Sequence, residues 1–424
     1  MQELSSYTLI ISGTIIVILS YFFNVISEKT NIPSVLLLII LGIIIKEILH
    51  LSGIIDVNFF PILEVLGIVG LIMIVLEASL DLDINKSKIK LIIKSFFIAL
   101  ISLGISSYLI ALILKVFLHT DLFISMLYAL PLSIMSSAII IPSAKNLPQE
   151  KKEFLIYEST FSDILGIMVF YFVLGSVEAE SIHEIGLDIF SNISITIISS
   201  IVLSFVLLYI FQNLKSEIKL FLLISVLILI YAIGKSFHLS SLIIILIFGL
   251  LLNNRKYIFK GFLSKIIKYE YLDSVYKDLK LVTLETSFMV RTFFFVIFGA
   301  SISLLSLLSF RVFVISIIVL IILYVVRILL FLLFQQKNIY PQIFLAPRGL
   351  ITILLFYAIP QEFKVKEFDS GILLFVILVT SILMAVSIIR YSNRLKQDKK
   401  ESDVTASASD IETETLEKTT ETDI

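Results

Sequence analysis

Long runs of apolar residues alternate with short polar connections along almost the entire chain. A bilayer core about 30 Å thick is crossed by roughly 17–25 apolar residues in a helix. By this measure the pattern predicts an all-α polytopic membrane protein with about thirteen spanning helices. Because the runs are continuous in Ile, Leu, Val and Phe, they favour helices over the alternating strands of a membrane barrel. The predicted spans are 7–24, 33–49, 59–80, 91–117, 122–144, 153–175, 186–211, 217–234, 238–253, 283–304, 310–334, 340–360 and 368–390.

Lysine and arginine are concentrated in every second connection of this topology. The longest basic loop, 254–282, carries seven such residues, whereas the loop 50–58 on the other side carries none. Since positively charged loops stay in the cytoplasm, the alternation predicts an N-terminus outside the cell and a C-terminus inside.

Two of the predicted spans are interrupted by proline and glycine. Span five contains Pro131 and Pro142, and span twelve contains Pro347, Arg348 and Gly349 at its centre. Proline removes a helical hydrogen bond and glycine loosens the backbone. Freed backbone at membrane depth is tolerated only inside protein or beside a water-filled cavity. Each break by itself could also be an ordinary proline kink.

The order of the two interrupted spans predicts an internal symmetry. They lie seven spans apart, so a repeat that maps one onto the other inverts its orientation in the membrane. We therefore predict two inverted six-helix repeats, 7–175 and 217–390, joined by a linking helix at 186–211. Crossed discontinuous helices five and twelve are typical of transporters, whose site lies where the breaks meet.

Composition supports the membrane class and excludes several kinds of chemistry. Apolar residues make up 58% of the 424 residues, and the mean hydropathy is +1.05. A soluble domain contains about 45–50% apolar residues. The chain has no cysteine and four scattered histidines, and we find no phosphate-binding glycine loop. These features disfavour an enzyme, a cofactor, a Cys or His metal centre and a nucleic-acid partner.

The domain organisation predicted is a membrane domain, 1–390, followed by a cytoplasmic acidic tail, 391–424. Residues 401–424 hold eight acids against Lys418 and few apolar side chains. Such a segment buries too little apolar surface to offset the conformational entropy lost on ordering, so we expect it to be disordered. The tail could be a regulatory arm or simply a solvated end.

Span six carries the densest group of polar residues within the membrane. Ionisable residues there are costly and indicate function by default. Ser159 and Asp163 lie four residues apart on one helix face, whereas Glu158 lies about 140° round the helix from Asp163. Asp163 and Ser159 are therefore predicted to offer hard oxygen ligands to a metal cation, Na⁺ or Li⁺. Glu158 is predicted to be neutralised by an arginine.

Other charges within the spans leave alternatives open. Asp163 could instead form a structural ion pair with Arg291 or Arg348. Glu77 could be a secondary ion ligand or part of a buried salt bridge. Arg291 could snorkel to the membrane surface or act as a fixed positive charge that tunes a core acid. Glu64 is expected to be structural, and Arg327 could face lipid headgroups or a subunit contact.

Three motifs together resemble the cation:proton antiporter superfamily, in particular bacterial sodium/proton antiporters of the monovalent cation:proton antiporter-1 type. They are E-S-T-F-S-D at 158–163, A-P-R-G-L-I-T at 346–352 and R-T-F-F-F-V-I-F-G at 291–299. The resemblance covers most of residues 1–390. It implies a homodimer in the bacterial plasma (inner) membrane, with a dimerisation domain and a mobile core domain in each protomer.

The resemblance also implies roles for individual residues. Asp163 would be the carboxylate that carries the ion and the proton, and Ser159 a neutral ligand. Glu158 and Arg348 would form a structural pair beneath the site. Glu77 matches a family acid that helps to coordinate the ion.

The chain departs from the family pattern at two places that bear on ion selectivity. Ser162 stands where the family usually has asparagine. The break in span five reads Met135-Ser136-Ser137 where the family often has Thr-Asp. Ser136, Ser137 and Ser162 are therefore predicted to contribute neutral oxygens to the site.

The function predicted is exchange of a monovalent cation, with Na⁺ or Li⁺ favoured, for H⁺ by alternating access. A single central carboxylate holds either a proton or a cation, so we expect electroneutral one-for-one exchange. Alternatives are K⁺/H⁺ antiport, a channel, or a sensor that binds an ion without moving it.

Overall fold

The computed structural model describes most of the membrane domain. The described residues are 6–30, 32–51, 60–84, 86–144, 147–175, 198–212, 219–236, 241–259, 267, 269–301, 306–307, 309–334, 339–394 and 397. Throughout this part the regular structure is helical, with no strand, so the predicted all-α class is confirmed. Residues 395, 396 and 398–424 of the predicted tail, 391–424, lie outside the described residues, as do residues 186–197 of the predicted linking helix.

The apolar runs form helices because a helix pairs its own backbone N–H and carbonyl groups, and the bilayer core offers these groups no other partner. The helices are α1 Ser6–Thr30, α2 Ser34–Leu51, α3 Phe60–Asp81, α4 Ile89–Leu118, α5 Leu122–Ser133, α6 Ser137–Ser143, α7 Gln149–Gly175, α8 Ile198–Gln212, α9 Lys219–Ser236, α10 Ser241–Asn253, α11 Arg255–Ile258, α12 Tyr269–Ser301, α13 Phe310–Phe334, α14 Leu350–Tyr357 and α15 Gly371–Arg394.

Within the described part, eight helical segments are long and apolar enough to cross a membrane. They are contributed by α1, α2, α4, α5 with α6, α7, α12, α13 and α15, and α8, α9 and α10 are shorter apolar helices. This confirms a polytopic membrane protein. The count of thirteen spans and the inverted repeat remain predictions.

Both predicted interruptions are present. Between α5 and α6 the backbone is non-helical at 134–136, and before α14 it is non-helical at 345–349. The segment that contains α5 and α6 is also the most enclosed candidate span, with 83% of its apolar window buried against 6% for α1. Burial inside the protein is what allows backbone without helical hydrogen bonds at membrane depth.

The helices pack in two groups. In one, α2 and α3 pack on α12, and α3 also packs on α10. In the other, α4 packs on α5, α7 and α13, and α7 also contacts α5 and α6. The helix α14 contacts α5 and α7 and also α3, so it touches both groups.

Small residues allow the closest helix crossing in the first group. A Cβ atom added to Gly42 of α2 would lie 2.0 Å from the carbonyl oxygen of Val296 on α12. A Cβ atom on Gly299 would lie 2.3 Å from the carbonyl oxygen of Ile39. The two backbones therefore approach more closely than any larger residue permits, as in other membrane helix pairs.

Candidate functional site

The two interruptions meet inside the second group of helices. The backbone N–H of Ser136 donates to the carbonyl oxygen of Pro347 at 2.9 Å. A Cβ atom on Gly349 would lie 2.7 Å from Ser136 Oγ, so glycine is what lets the two extended segments cross here. This hydrogen bond thus gives a partner to one N–H group of the first break and to one carbonyl group of the second, neither of which has a helical partner.

Two side chains of α7 hold the first interruption in place. Ser162 Oγ accepts a hydrogen bond from the backbone N–H of Met135 at 2.9 Å. Asp163 Oδ2 accepts one from the backbone N–H of Ser137, the first residue of α6, at 3.0 Å. Orphan N–H groups at a helix start are normally satisfied in this way, and a carboxylate there is favoured by the helix dipole.

Close packing brings α7 to the break. A Cβ atom on Gly166, three residues after Asp163, would lie 2.3 Å from the side chain of Ile134. The glycine therefore allows Ile134 to lie against α7, which places Ser162 and Asp163 within reach of the non-helical backbone.

Asp163 has one carboxylate oxygen that accepts no hydrogen bond from the residues that the structure describes. The residue is 3% exposed, and its Oδ1 atom has no hydrogen-bond partner within the described part of the chain. Ser136 Oγ is likewise buried and without a partner among those residues. Ser159, one turn before Asp163, is fully buried, and its hydroxyl donates to the carbonyl oxygen of Ile156 at 3.2 Å. The junction therefore offers oxygen atoms in a site closed to solvent.

The predicted alternative for Asp163, an ion pair with Arg291 or Arg348, is not found among the described residues. These residues also contain no cluster of three or more His, Cys, Asp or Glu side chains that could hold a metal ion. A lone carboxylate among neutral oxygens suits a monovalent cation better than a divalent one, whose greater charge normally requires more anionic ligands.

Arg348 caps the end of α5. Its guanidinium donates to the carbonyl oxygens of Leu132 at 3.1 Å and of Ser133 at 3.2 Å, and also to that of Ala346. Its backbone N–H donates to Thr380 Oγ1 at 3.1 Å. The last carbonyl groups of a helix lack partners and carry partial negative charge, so a buried arginine is stabilised there.

The structure does not bring Glu158 and Arg348 into an ion pair within the residues that it describes. Glu158 instead pairs with Arg327 of α13, through Nη1 to Oε1 at 2.6 Å and Nη2 to Oε2 at 3.0 Å. Arg327 is 4% exposed, so it faces neither lipid headgroups nor a subunit contact. It also donates to the carbonyl oxygens of Gln342 and Ile343, next to the second interruption. Arg348 is not free for Glu158 because it donates to carbonyl oxygens at the break.

Sequence reasoning missed Arg327 as a site-supporting residue. The available signal was an arginine in the middle of an apolar run with no acid within one turn of its own helix. Such a charge needs a partner from another helix. A cavity of about 10 Å³, enough for one water molecule, lies between this pair and the break. Its polar lining comprises Ser102, Ser133, Glu158, Ser162, Arg327 and Arg348.

Glu77 and Arg291 form an ion pair with each other. They join α3 to α12 with 3.4 Å between Arg291 Nη2 and Glu77 Oε1. The structure thus shows the salt-bridge alternative that the sequence left open for Glu77. The side chain of Glu64 lies outside the described part.

Comparisons with known proteins identify the family of the chain. The family model described as "Sodium/hydrogen exchanger, transmembrane" matches residues 14–393. Comparison with the curated proteins gives no significant match.

Two solved structures of the sodium proton antiporter MjNhaP1 from Methanocaldococcus jannaschii share the fold. One, at pH 8, has a TM-score of 0.63 and 22% identity, covering 90% of this chain and 95% of the other. The second, from electron microscopy, has a TM-score of 0.66 and 23% identity, covering 92% and 96%. The fold likeness and the family match over nearly the whole chain confirm the predicted resemblance. The chain belongs to the sodium/hydrogen exchanger family, and is therefore a multi-pass membrane antiporter rather than an enzyme.

Proposed function

We propose that this antiporter exchanges Na⁺ or Li⁺ for H⁺ by alternating access, with Asp163 as the carboxylate that binds both. The observation that carries the proposal is the state of Asp163. One of its oxygens accepts the N–H of Ser137, while the other is buried without a hydrogen-bond partner in the described part. That second oxygen is available to a proton or to a dehydrated cation.

Burial explains why the two ligands compete. An ionised carboxylate in a site closed to water is costly unless a positive charge neutralises it. Glu158 and Arg327 neutralise each other, and Arg348 donates to backbone carbonyl groups, so none of them forms an ion pair with Asp163. Either a proton or a monovalent cation can supply the missing charge, and only one can do so at a time. One carboxylate per cycle gives electroneutral exchange.

Neutral oxygens near the break would complete the coordination of the cation. We assign this role to Ser136, Ser137, Ser159 and Ser162. Ser136 Oγ has no partner among the described residues, whereas Ser162 Oγ already accepts one hydrogen bond and keeps a further lone pair. A serine hydroxyl carries two lone pairs, so Ser162 can bind the N–H of Met135 and a cation together.

We further propose the arrangement in the membrane. The group of α4 to α7 with α13 and α14 would move against the group of α1 to α3 with α10 and α12, as the mobile core and dimerisation domains that the resemblance implies. A homodimer in the plasma membrane, with the N-terminus outside and the C-terminus in the cytoplasm, follows from the same resemblance and from the loop charges.

Everted membrane vesicles with acridine orange test the assignment. We expect Asp163→Asn to abolish the fluorescence recovery caused by Na⁺ or Li⁺, because an amide can neither release a proton nor neutralise a cation. Asp83→Asn, an exposed acid changed in the same way, is the matched control and should keep exchange. Normal exchange in Asp163→Asn would remove Asp163 from the mechanism.

The same vesicles separate the alternative functions. A response to K⁺ alone would reject the Na⁺ or Li⁺ assignment, and rates that rise strongly with membrane potential would reject electroneutrality. Cation flux without proton movement would indicate a channel. Cation binding in detergent without any flux would indicate a sensor.

A further inference from the structure

A groove on the membrane-facing side of α4 lies outside the ion site. Its volume is about 410 Å³, and we call it the α4 groove. It is lined by Lys90, Ile93, Lys94, Phe97 and Ile101 of α4 and by Phe334 at the end of α13.

The lining residues follow one face of α4. Their spacing from Lys90 is three, four, seven and eleven residues, which is the period of a helix face. At 1.5 Å per residue, Lys90 and Ile101 lie about 16 Å apart along the axis. This is roughly half of a 30 Å hydrocarbon core. The α4 groove therefore extends over about one leaflet, with both lysines at the end where α4 begins.

The apolar part of the groove is exposed on the surface of the protein. Ile93 and Phe97 are each 49% exposed, and Phe334 is 46% exposed. These exposed apolar side chains, between the start of α4 and the end of α13, give the α4 groove a lining that suits an acyl chain.

The two lysines at the end of the groove have no acidic partner among the residues that the structure describes. Neighbouring Lys88 pairs with Glu153 at 2.9 Å, whereas Lys90 and Lys94 form no ion pair within the described part of the chain. They lie on the side that the loop charges predict to be cytoplasmic. Basic residues at this surface attract anionic lipid headgroups, by about one kcal/mol each in general.

We propose that the α4 groove binds an anionic phospholipid of the inner leaflet. Its phosphate lies against Lys90 and Lys94, and one acyl chain follows Ile93, Phe97 and Ile101. A neutral lipid would leave both charges unmatched. Because α4 packs on α7 and α13, which carry Asp163 and Arg327, the lipid also stabilises the helices that support the ion site.

Native mass spectrometry of the detergent-purified protein tests this proposal. The protein is titrated with phosphatidylglycerol or with phosphatidylcholine of the same acyl chains. We expect wild type to prefer phosphatidylglycerol, and the double variant Lys90→Gln, Lys94→Gln to lose about 30-fold in affinity for it. The matched control, Lys29→Gln with Lys277→Gln, changes two exposed lysines of the same predicted side and should keep the preference.

Further variants and a soluble competitor identify the ligand and the place where it binds. The charge-preserving variant Lys90→Arg, Lys94→Arg should restore binding. Ile101→Trp, which fills the apolar end but keeps both lysines, should weaken it roughly tenfold, and this holds even if the double variant does not fold. Equal phosphatidylglycerol affinity in wild type and the glutamine variant, or an unchanged affinity in Ile101→Trp, would overturn the proposal. Displacement of the lipid by soluble glycerol phosphate at similar concentration would show an anion site without a lipid.

Discussion

The buried ion pair of Glu158 and Arg327 is predicted to stabilise the folded protein around the two interrupted helices. Glu158→Gln leaves the Arg327 guanidinium inside the protein without its carboxylate, and Arg327→Gln leaves Glu158 as an unpaired buried charge. Removing one partner of a buried ion pair costs about 3–5 kcal/mol. The bidentate geometry, at 2.6 and 3.0 Å, places this pair among the stronger hydrogen-bonded ones.

A double-mutant cycle measures the interaction between the two side chains. We expect the double variant to be little less stable than either single one, because the second change removes a charge that the first left unpaired. The coupling free energy is then about 3 kcal/mol. The free energy of unfolding is followed by far-ultraviolet circular dichroism during SDS denaturation in dodecyl maltoside micelles.

A second cycle, of Glu158→Gln with Arg348→Gln, is the matched control. Arg348 donates to carbonyl oxygens at the end of α5 and shares only a small cavity with Glu158, so we expect a coupling free energy clearly smaller than that between Glu158 and Arg327. Coupling to Arg348 that equals or exceeds coupling to Arg327 would refute the assignment of partners.

Three further changes test the junction and the second charge pair. Ser162→Ala should cost about 1–3 kcal/mol in free energy of unfolding, because the buried N–H of Met135 loses its acceptor; an unchanged midpoint would contradict this contact. Gly349→Ala should strongly reduce vesicle exchange, since its Cβ atom would lie 2.7 Å from a serine hydroxyl at the crossing. Gly104→Ala, which meets nothing within 4 Å, should leave exchange unchanged. Glu77→Gln should lower the melting temperature but keep the KM for Na⁺, because the carboxylate of Glu77 pairs with Arg291 of α12; a clearly raised KM would place Glu77 on the ion path.

Local sequence patterns predict much of the architecture. The length of an apolar run predicts a membrane helix because, in the hydrocarbon core, each segment must form all the hydrogen bonds of its own backbone. Proline and glycine predict the two interruptions because they disturb the helix wherever they stand. The motif at 158–163 points to Asp163 for a similar reason, since a carboxylate within an apolar run is costly in any fold.

The pairing of buried charges was decided by the tertiary structure. Arg291, Arg327 and Arg348 were each candidate partners for the acids, and nothing in their spacing along the chain distinguishes them. Arg348 donates to carbonyl groups at the end of α5, Arg327 of α13 pairs with Glu158, and Arg291 pairs with Glu77. These contacts link residues more than 160 positions apart, so only the packing of helices against one another selects them.

The sequence by itself determined the class of protein, the two breaks and the acid at the centre, because each depends on the chemistry of a short segment in lipid. Only the tertiary structure shows which atoms of the two breaks meet, with the N–H of Ser136 donating to the carbonyl oxygen of Pro347. It also decided that Ser162, which departs from the family pattern, bonds to the N–H of Met135 beside Asp163. Hydrogen bonds at a junction depend on distances of a few tenths of an ångström between helices, and no local pattern encodes such distances.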